Sequence, residues 1–432
     1  MNKKKRSLAY LAVKTHFRFW VNGIFYRHYY ALDTENIPAD GTPTLIAMNH
    51  QNALNDALGV LFAINDRKPH FIARADAFDI APWFRKFLLW IGLLPAFRMQ
   101  YKGGTALDKN AATFEVSEQS LLDGDTVLIF PEAGHQTIHW LGYFSLGYAR
   151  MAFQAAEKSG FEKEIFILPA INHYSKYNGL KNDMLVRFGK PISVKPWYEL
   201  HQTRPRTAER QLNELVRSEL RSMMLDVQDV ENYEDIDFLR TNQWGRDFAV
   251  KMGKNPDYLP ERLEADRALV QRLADNQTDY SDVKVYRQAL ESRRFEDRQV
   301  LRKPSLAGIV LRSLLLILLA PLGLLATWPA HLCWYLPIKF NKLDILMQAT
   351  FQLAMSTILI IPIAFVLTWV VTGLLTCWWV GLIHALLIPA LCEFEWHYCK
   401  LLQRTWRDIR FRCADTRFLH PLREKIALSI QL

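Results

Sequence analysis

No cysteine occurs before position 333. The five present, Cys333, Cys377, Cys392, Cys399 and Cys413, form no C-x-x-C pair and no cluster with histidine. That usage argues for a reduced compartment, against a disulfide framework and against structural zinc. Charge is missing in blocks as well. Residues 313–338 contain no Asp, Glu, Lys or Arg, and neither do residues 345–392, a run of 48. Both runs exceed the ~20 apolar residues a membrane-spanning helix needs. A buried core helix rarely runs so long without a polar face. No G-x-S-x-G nucleophile elbow is present; in "GYFSLG" (142–147) the serine falls one place late. Neither an H-E-x-x-H nor an acidic triplet occurs, so no metal site is expected. The N-terminus lacks a secretory pattern, because Lys14 and Arg18 interrupt its apolar run and no small-residue cleavage site follows.

What is abundant is positive charge, a net +9 over 432 residues. It flanks the apolar parts: Lys3, Lys4, Lys5 and Arg6, then Arg302 and Lys303, Lys339 and Lys342, and Arg404, Arg407, Arg410 and Arg412. This placement favours lipid headgroups over nucleic acid and puts the flanks on the cytoplasmic side of the cell (inner) membrane. Residues 1–35 mix cations with Phe17, Phe19, Trp20, Phe25 and Tyr26. They read equally as a basic, aromatic helix lying in the interface or as a surface helix capping the next domain.

Residues 36–200 alternate short apolar runs with helical patterns. "TLIAM" (44–48), "HFIAR" (70–74), "TVLIF" (126–130), "IFILPA" (165–170) and "MLVRF" (184–188) predict buried strands; 77–94 and 142–158 predict helices. The fold class expected is α/β, a mostly parallel sheet flanked by helices. A charged helical region (201–300) follows, whose acidic segment "VQDVENYEDID" (227–237) reads as solvated. Then come a membrane region of two to four helices (301–400) and a basic cytoplasmic tail (401–432). His331 and His384 lie inside the apolar runs; a structural role is the reading preferred for both.

Ligands of parallel sheets gather outside the carboxyl ends of the strands. Polar residues collect there in this sequence: Asn49, His50 and Asp56 after the first strand, Arg74 and Asp76 after the second, Glu132, Gly134 and His135 after the third, Asn172 and His173 after the fourth. A histidine beside a carboxylate is a general base held in one tautomer. With no protein nucleophile in sight, the nucleophile is expected to be a substrate alcohol deprotonated by His50.

"NHQNALND" (49–56), "FPEAGHQ" (130–136) and "ILPAIN" (167–172), in that order, resemble the blocks of the glycerol-phosphate and lysophosphatidic-acid acyltransferase family. "SLGYARMAF" (145–153) is similar to the segment that follows the family's third block. The resemblance implies an acyl-CoA or acyl carrier protein thioester as donor, with no further cofactor. It implies glycerol 3-phosphate or a lysophospholipid as acceptor and the lipid bilayer as partner, with no nucleic acid. It makes His50 the base and Asp56 its orienting carboxylate. Arg98, with Lys102, in "LPAFRMQYKGG" (94–104) would hold the acceptor's phosphate, and Glu132 its hydroxyls; Arg74, Gly134, His135 and Arg150 are further candidates. Two departures stand out. The family leaves four residues between His and Asp, which here reaches Asn55, whereas Asp56 leaves five; and Ala133 occupies the usual glycine position, with Gly134 next. Asp56 is chosen because an amide cannot stabilise an imidazolium as a carboxylate does. Two other readings follow. An amino-acid-derived lyso-lipid would replace the phosphate acceptor. A non-catalytic membrane scaffold on a decayed acyltransferase fold would account for the longer spacing.

Overall fold

A computed structural model describes residues 7–64, 67–79, 82–96, 105–132, 134, 138–330, 333 and 352–430. The chain divides into two compact units, the first of Met1–Asp226 and the second beginning at Val227.

The first unit opens with α1 (Leu8–Trp20), capped by the Ser7 hydroxyl, which accepts from Tyr10 N–H at 3.2 Å. The helix expected through residue 35 stops earlier: a π-turn (Val21–Phe25) leads into strand β1 (Tyr26–Leu32). The three tyrosines of YRHYYAL favour a pleated surface. In that strand Arg27 and His28 both reach Asp183 on the neighbouring strand. Lys14 does not face solvent; its Nζ donates to the Ile64 carbonyl at 2.6 Å, at the end of a later helix.

After β1 the order is β2 (Thr44–Met48), α2 (Leu54–Ala63), β3 (His70–Arg74), α3 (Pro82–Ile91), β4 (Leu93–Ala96), α4 (Thr105–Leu122), β5 (Thr126–Ile129), α5 (Gly147–Lys158), β6 (Phe166–Tyr174), β7 (Asn182–Phe188) and β8 (Ile192–Ser193). Two helices, α6 (Tyr198–Thr203) and α7 (Pro205–Met223), complete the unit. It therefore runs past the boundary expected at residue 200, because the apolar stripe of α7 (Leu212, Val216 and Leu220) is buried and the helix packs against β6. Tyr148 of α5 adds a 3.1 Å hydrogen bond to Asn213 of α7.

Among the described residues eight strands form one sheet, ordered β1-β7-β6-β2-β5-β3-β4, with β8 beside β6. All pairings are parallel except those of β6 with β7 and β8. The five strands read from the sequence are all present. β1, β4 and β8 were not foreseen, each being short or only partly buried. The registers Ala47↔Ile129 and Met48↔Ala170 end β2 and β5 at one edge of the sheet, with β6 running on past them beside β2. Leu45, Ile46 and Met48 of β2 are fully buried, each burial stabilising by about 1.5–3 kcal/mol.

Helix α2 lies close on β6 and β7 because Gly59 faces them. A Cβ there would sit 2.2 Å from Met184 Cε, 2.7 Å from Val186 Cγ2 and 3.0 Å from Asn172 Oδ1.

The second unit contains α8 (Tyr233–Thr241), α9 (Gln243–Lys251), α10 (Leu259–Asp275), α11 (Ser281–Arg293) and α12 (Asp297–Leu301), then α13 (Leu306–Ala330), α14 (Gln352–Leu375), α15 (Trp378–Leu386), α16 (Ile388–Cys413) and α17 (Leu419–Ile430). The acidic segment expected to be solvated is partly internal. Asp235 is buried against Arg287 Nε at 2.8 Å, and Asp237 meets the buried Arg240, which also reaches Asp266 at 2.7 Å. Paired arginines are what allow such carboxylates to leave water. Helices α13 and α14, of 25 and 24 residues, are long and apolar enough to cross a membrane; α15 and α16, bent by 59° at their junction, would make a third span. The chain is thus of membrane-associated character. His384 is held by Thr372 at 2.9 Å, in keeping with a structural role; His331 lies outside the described residues. Where α13 and α16 pack, the buried Asp408 accepts from Arg312 and Gln299 at 2.7 Å each and from Arg298 at 3.3 Å.

Two stability measurements follow. Gly59→Ala overpacks the helix–sheet contact and is expected to cost ~1–3 kcal/mol, read as an earlier denaturant midpoint. Asp408→Ala strands Arg312 and is expected to cost ~3 kcal/mol, read as a lower melting temperature of the detergent-solubilised chain.

Candidate active site

The edge where β2 and β5 end, and which β6 overruns, carries the polar cluster. β2 stops at Met48 because the Asn49 side chain takes over the pairing. Its Nδ2 donates to the Asn172 carbonyl at 3.0 Å, and its Oδ1 accepts from Asn172 N–H at 2.7 Å. The amide thus imitates one further residue of strand and fixes the start of the next loop relative to β6. His50 follows, partly exposed, with its ring stacked on Phe130 at 3.9 Å and 18°.

Asp56, in the first turn of α2, is fully buried. Its Oδ2 receives His50 Nδ1, Gln51 N–H and Asn52 N–H, each at 2.8 Å. Its Oδ1 receives the Tyr174 hydroxyl at 2.6 Å and Asn172 Nδ2 at 3.1 Å. Five donors compensate the burial of this carboxylate. Because a carboxylate accepts at Nδ1, that nitrogen carries the proton and Nε2 carries the lone pair. The five-residue spacing does not separate the pair. Ala53 takes φ 45° and ψ −120° at the helix entry, and this turn absorbs the additional residue. Asn55, at the four-residue position, is buried beside Tyr26 and does not meet His50.

Glu132, two residues beyond the stacked Phe130, bridges two loops through backbone. Its Oε1 accepts from His50 N–H at 2.8 Å and its Oε2 from Gly142 N–H at 2.9 Å. Burial pushes its carboxyl up to about 7, against the two N–H groups and His50, which pull it down; the charge of Asp56 adds to the rise. The loop held at Gly142 is anchored elsewhere too. Leu141 N–H donates to Asp226 at 2.8 Å, Ser145 N–H to the Pro131 carbonyl at 2.9 Å, and the Tyr177 hydroxyl meets His139 Nδ1 at 2.9 Å.

Of the other candidates, Arg74 is the last residue of β3, in register with Ala96 of β4, on a strand parallel to β5. Gly134 lies in an open position where a Cβ would meet nothing within 4 Å. Arg150 pairs with Glu209 of α7 at 3.5 Å, a helix-packing contact. Arg98, Lys102, His135 and Ala133 lie outside the described residues. Among the described residues no three of His, Cys, Asp and Glu come together as metal ligands would. Tyr174 and the Gly142 amide escaped the reading of the sequence. A tyrosine four residues beyond a buried run carries no motif, and a backbone N–H carries no side-chain signal at all.

The chemistry available is that of an imidazole with a fixed tautomer, backed by a buried carboxylate, at the open end of a mostly parallel sheet. Residues 29–172, from β1 to β6, match the family model described as Acyltransferase. A solved structure with a detectable likeness is the 1-acyl-sn-glycerophosphate (LPA) acyltransferase PlsC from Thermotoga maritima, 15% identical, with a TM-score of 0.33 over 48% of this chain and 79% of that one. No curated protein matches the chain. The match to this family model spans the stretch that carries His50, Asp56 and Glu132.

Proposed function

We propose that this protein moves a fatty acyl group from a thioester, on coenzyme A or acyl carrier protein, to a hydroxyl of glycerol 3-phosphate or a lysophospholipid in phospholipid synthesis. The observation that carries this reading is the 2.8 Å contact between His50 Nδ1 and Asp56 Oδ2, inside the stretch that matches the acyltransferase family. His50 Nε2 takes the proton of the acceptor hydroxyl, and Asp56 stabilises the imidazolium. The alkoxide oxygen bonds to the thioester carbonyl carbon, the C–S bond of the tetrahedral intermediate breaks, and the imidazolium returns the proton to the departing thiolate. Arg98 is the proposed partner of the acceptor's phosphate, since a guanidinium fork matches its oxygens. Lys102, Arg74 and His135 are proposed to add positive charge or donors there, and Gly134 to leave room for the substrate. Glu132 spends one lone pair of each oxygen on backbone N–H groups, and the remaining lone pairs are proposed to orient an acceptor hydroxyl. The active unit is proposed to lie on the cytoplasmic side of the inner membrane, a reading supported by the basic residues that flank the apolar helices. Spanning helices suit an enzyme whose product stays in the bilayer.

The test is acyl transfer by the purified full chain in proteoliposomes, with labelled acyl-CoA and acyl carrier protein thioesters against a panel of acceptors. Wild type is expected to acylate a phosphate-bearing acceptor, with His50→Ala about 10²–10⁴-fold slower. Equal rates in the two proteins would remove the mechanism, and transfer only to acceptors without phosphate would remove the role of Arg98. A second measurement addresses Glu132. Its carboxyl is raised from 4.5 to about 7 on folding, so between those values the folded chain holds a proton that the unfolded chain has lost. The stability this contributes is complete below pH 4.5 and disappears as pH rises through about 7. Glu132→Gln, which cannot ionise, should therefore gain in melting temperature relative to wild type between pH 5 and pH 8. A difference that stays flat with pH would contradict the burial argument.

A further inference from the structure

The His50–Asp56 pair has a rear side that the acyl-transfer reading leaves without a role. Asn172 and Tyr174 are alternate residues of β6, so the pleat turns both toward one face. Both donate to the same oxygen of Asp56, Oδ1, while His50 is served by the other. The tyrosine contact, at 2.6 Å, is the shortest hydrogen bond the carboxylate makes. Tyr174 has no exposed surface and cannot touch a substrate.

We propose that Tyr174, assisted by Asn172, is a positioning residue that sets both the orientation of the Asp56 carboxylate and the basicity of His50. Orientation follows from geometry. A carboxylate held by donors on one oxygen only can turn about its Cβ–Cγ bond; donors from a sheet strand on Oδ1 and from the loop on Oδ2 fix its plane. Basicity follows from charge. A donor on Oδ1 draws electron density away from the oxygen facing the imidazole, so Asp56 supports the imidazolium less strongly than an unbonded carboxylate would. Removing the tyrosine hydroxyl should therefore make His50 a stronger base held in a less exact geometry. Among the described residues, the titratable groups that act on the pair are Glu132 after β5, Tyr26 at the start of β1 and Tyr174 itself, with Tyr177 beside Tyr174. Burial and the charge of Asp56 push the Tyr26 and Tyr174 hydroxyls well above their ordinary range, so both remain donors. Glu132 does titrate near neutrality, but it is common to wild type and variant, and the difference between their profiles cancels it.

The proposal rests on the acyl-transfer reading, and the experiment separates the two. Tyr174→Phe keeps the ring and its packing. Tyr148→Phe is the control; it removes a buried hydroxyl that bonds Asn213 on α7 instead of Asp56. In the full chain, kcat and KM are measured against pH. In parallel, the rate at which diethyl pyrocarbonate modifies His50 is followed against pH by mass spectrometry of its peptide. Tyr174→Phe is expected to lower kcat by about 10- to 100-fold, to leave KM within about twofold of wild type, and to move the acid limb upward by about half a pH unit. The midpoint of His50 modification should move by the same amount, and Tyr148→Phe should move neither. An unshifted modification midpoint in Tyr174→Phe overturns the proposal, as does a loss confined to KM. A shifted midpoint in a chain that transfers no acyl group upholds the tuning of His50 and overturns the function assigned to it.

Discussion

A fully buried carboxylate is the constraint on which the first unit is built. Asp56 needs five hydrogen-bond donors, and they come from two parts of the chain: the loop after β2, through the His50 ring and two backbone N–H groups, and strand β6. Each demand fixes a piece of the fold. Two successive N–H groups can point at one oxygen only if the loop is wound tightly, and Ala53 accepts a left-handed backbone to do it, a strain of order 1–3 kcal/mol. Donors from residues 172 and 174 require β6 to continue past the point where β2 ends, which the Asn49 amide makes possible by pairing with β6 in place of a strand. A close approach of α2 to that strand then requires Gly59. Burial of the charge, the register of the sheet and the glycine are one arrangement seen at three scales.

The second carboxylate of the site has fewer donors. Glu132 has two backbone donors where Asp56 has five contacts, and burial prevails over them, so its carboxyl rises to about 7. Both acids act on His50, one at the ring and one at the backbone N–H. That division separates orientation of the imidazole from placement of the segment that carries it. Two groups of one chemical type take different roles because their surroundings differ.

The strands that matter most were legible because each is a short apolar run with a polar end, and a parallel sheet collects those ends. His50, Asp56 and Glu132 were legible for that reason and through the resemblance of their blocks. The choice of Asp56 over Asn55 needed a chemical argument, since spacing alone pointed to Asn55, whereas the carboxylate that contacts His50 is Asp56; the turn at Ala53 depends on a backbone angle no residue type announces. β1 was hidden because its tyrosines and cations suit an interfacial helix as well as an edge strand, and only the pairing of Arg27 and His28 with Asp183 decides. Asp235 and Asp237 looked solvated for a related reason. A sequence displays the charges of a segment but not the arginines, 287 and 240, that fold onto them.

The same rule governs the second unit, where apolar helices leave little polar surface to pack. Asp408 is buried in the last third of α16 and receives Arg312 from α13 and Gln299 from α12, so a helix that carries apolar sequence is tied to one that precedes the membrane region. An uncompensated carboxylate there would be expelled from the contact or protonated. Compensated, it admits only the alignment of the helices that brings all its donors together. In both units a buried acid serves as the register mark: apolar packing tolerates a slip of one residue or one helical turn far better than a carboxylate tolerates the loss of a donor.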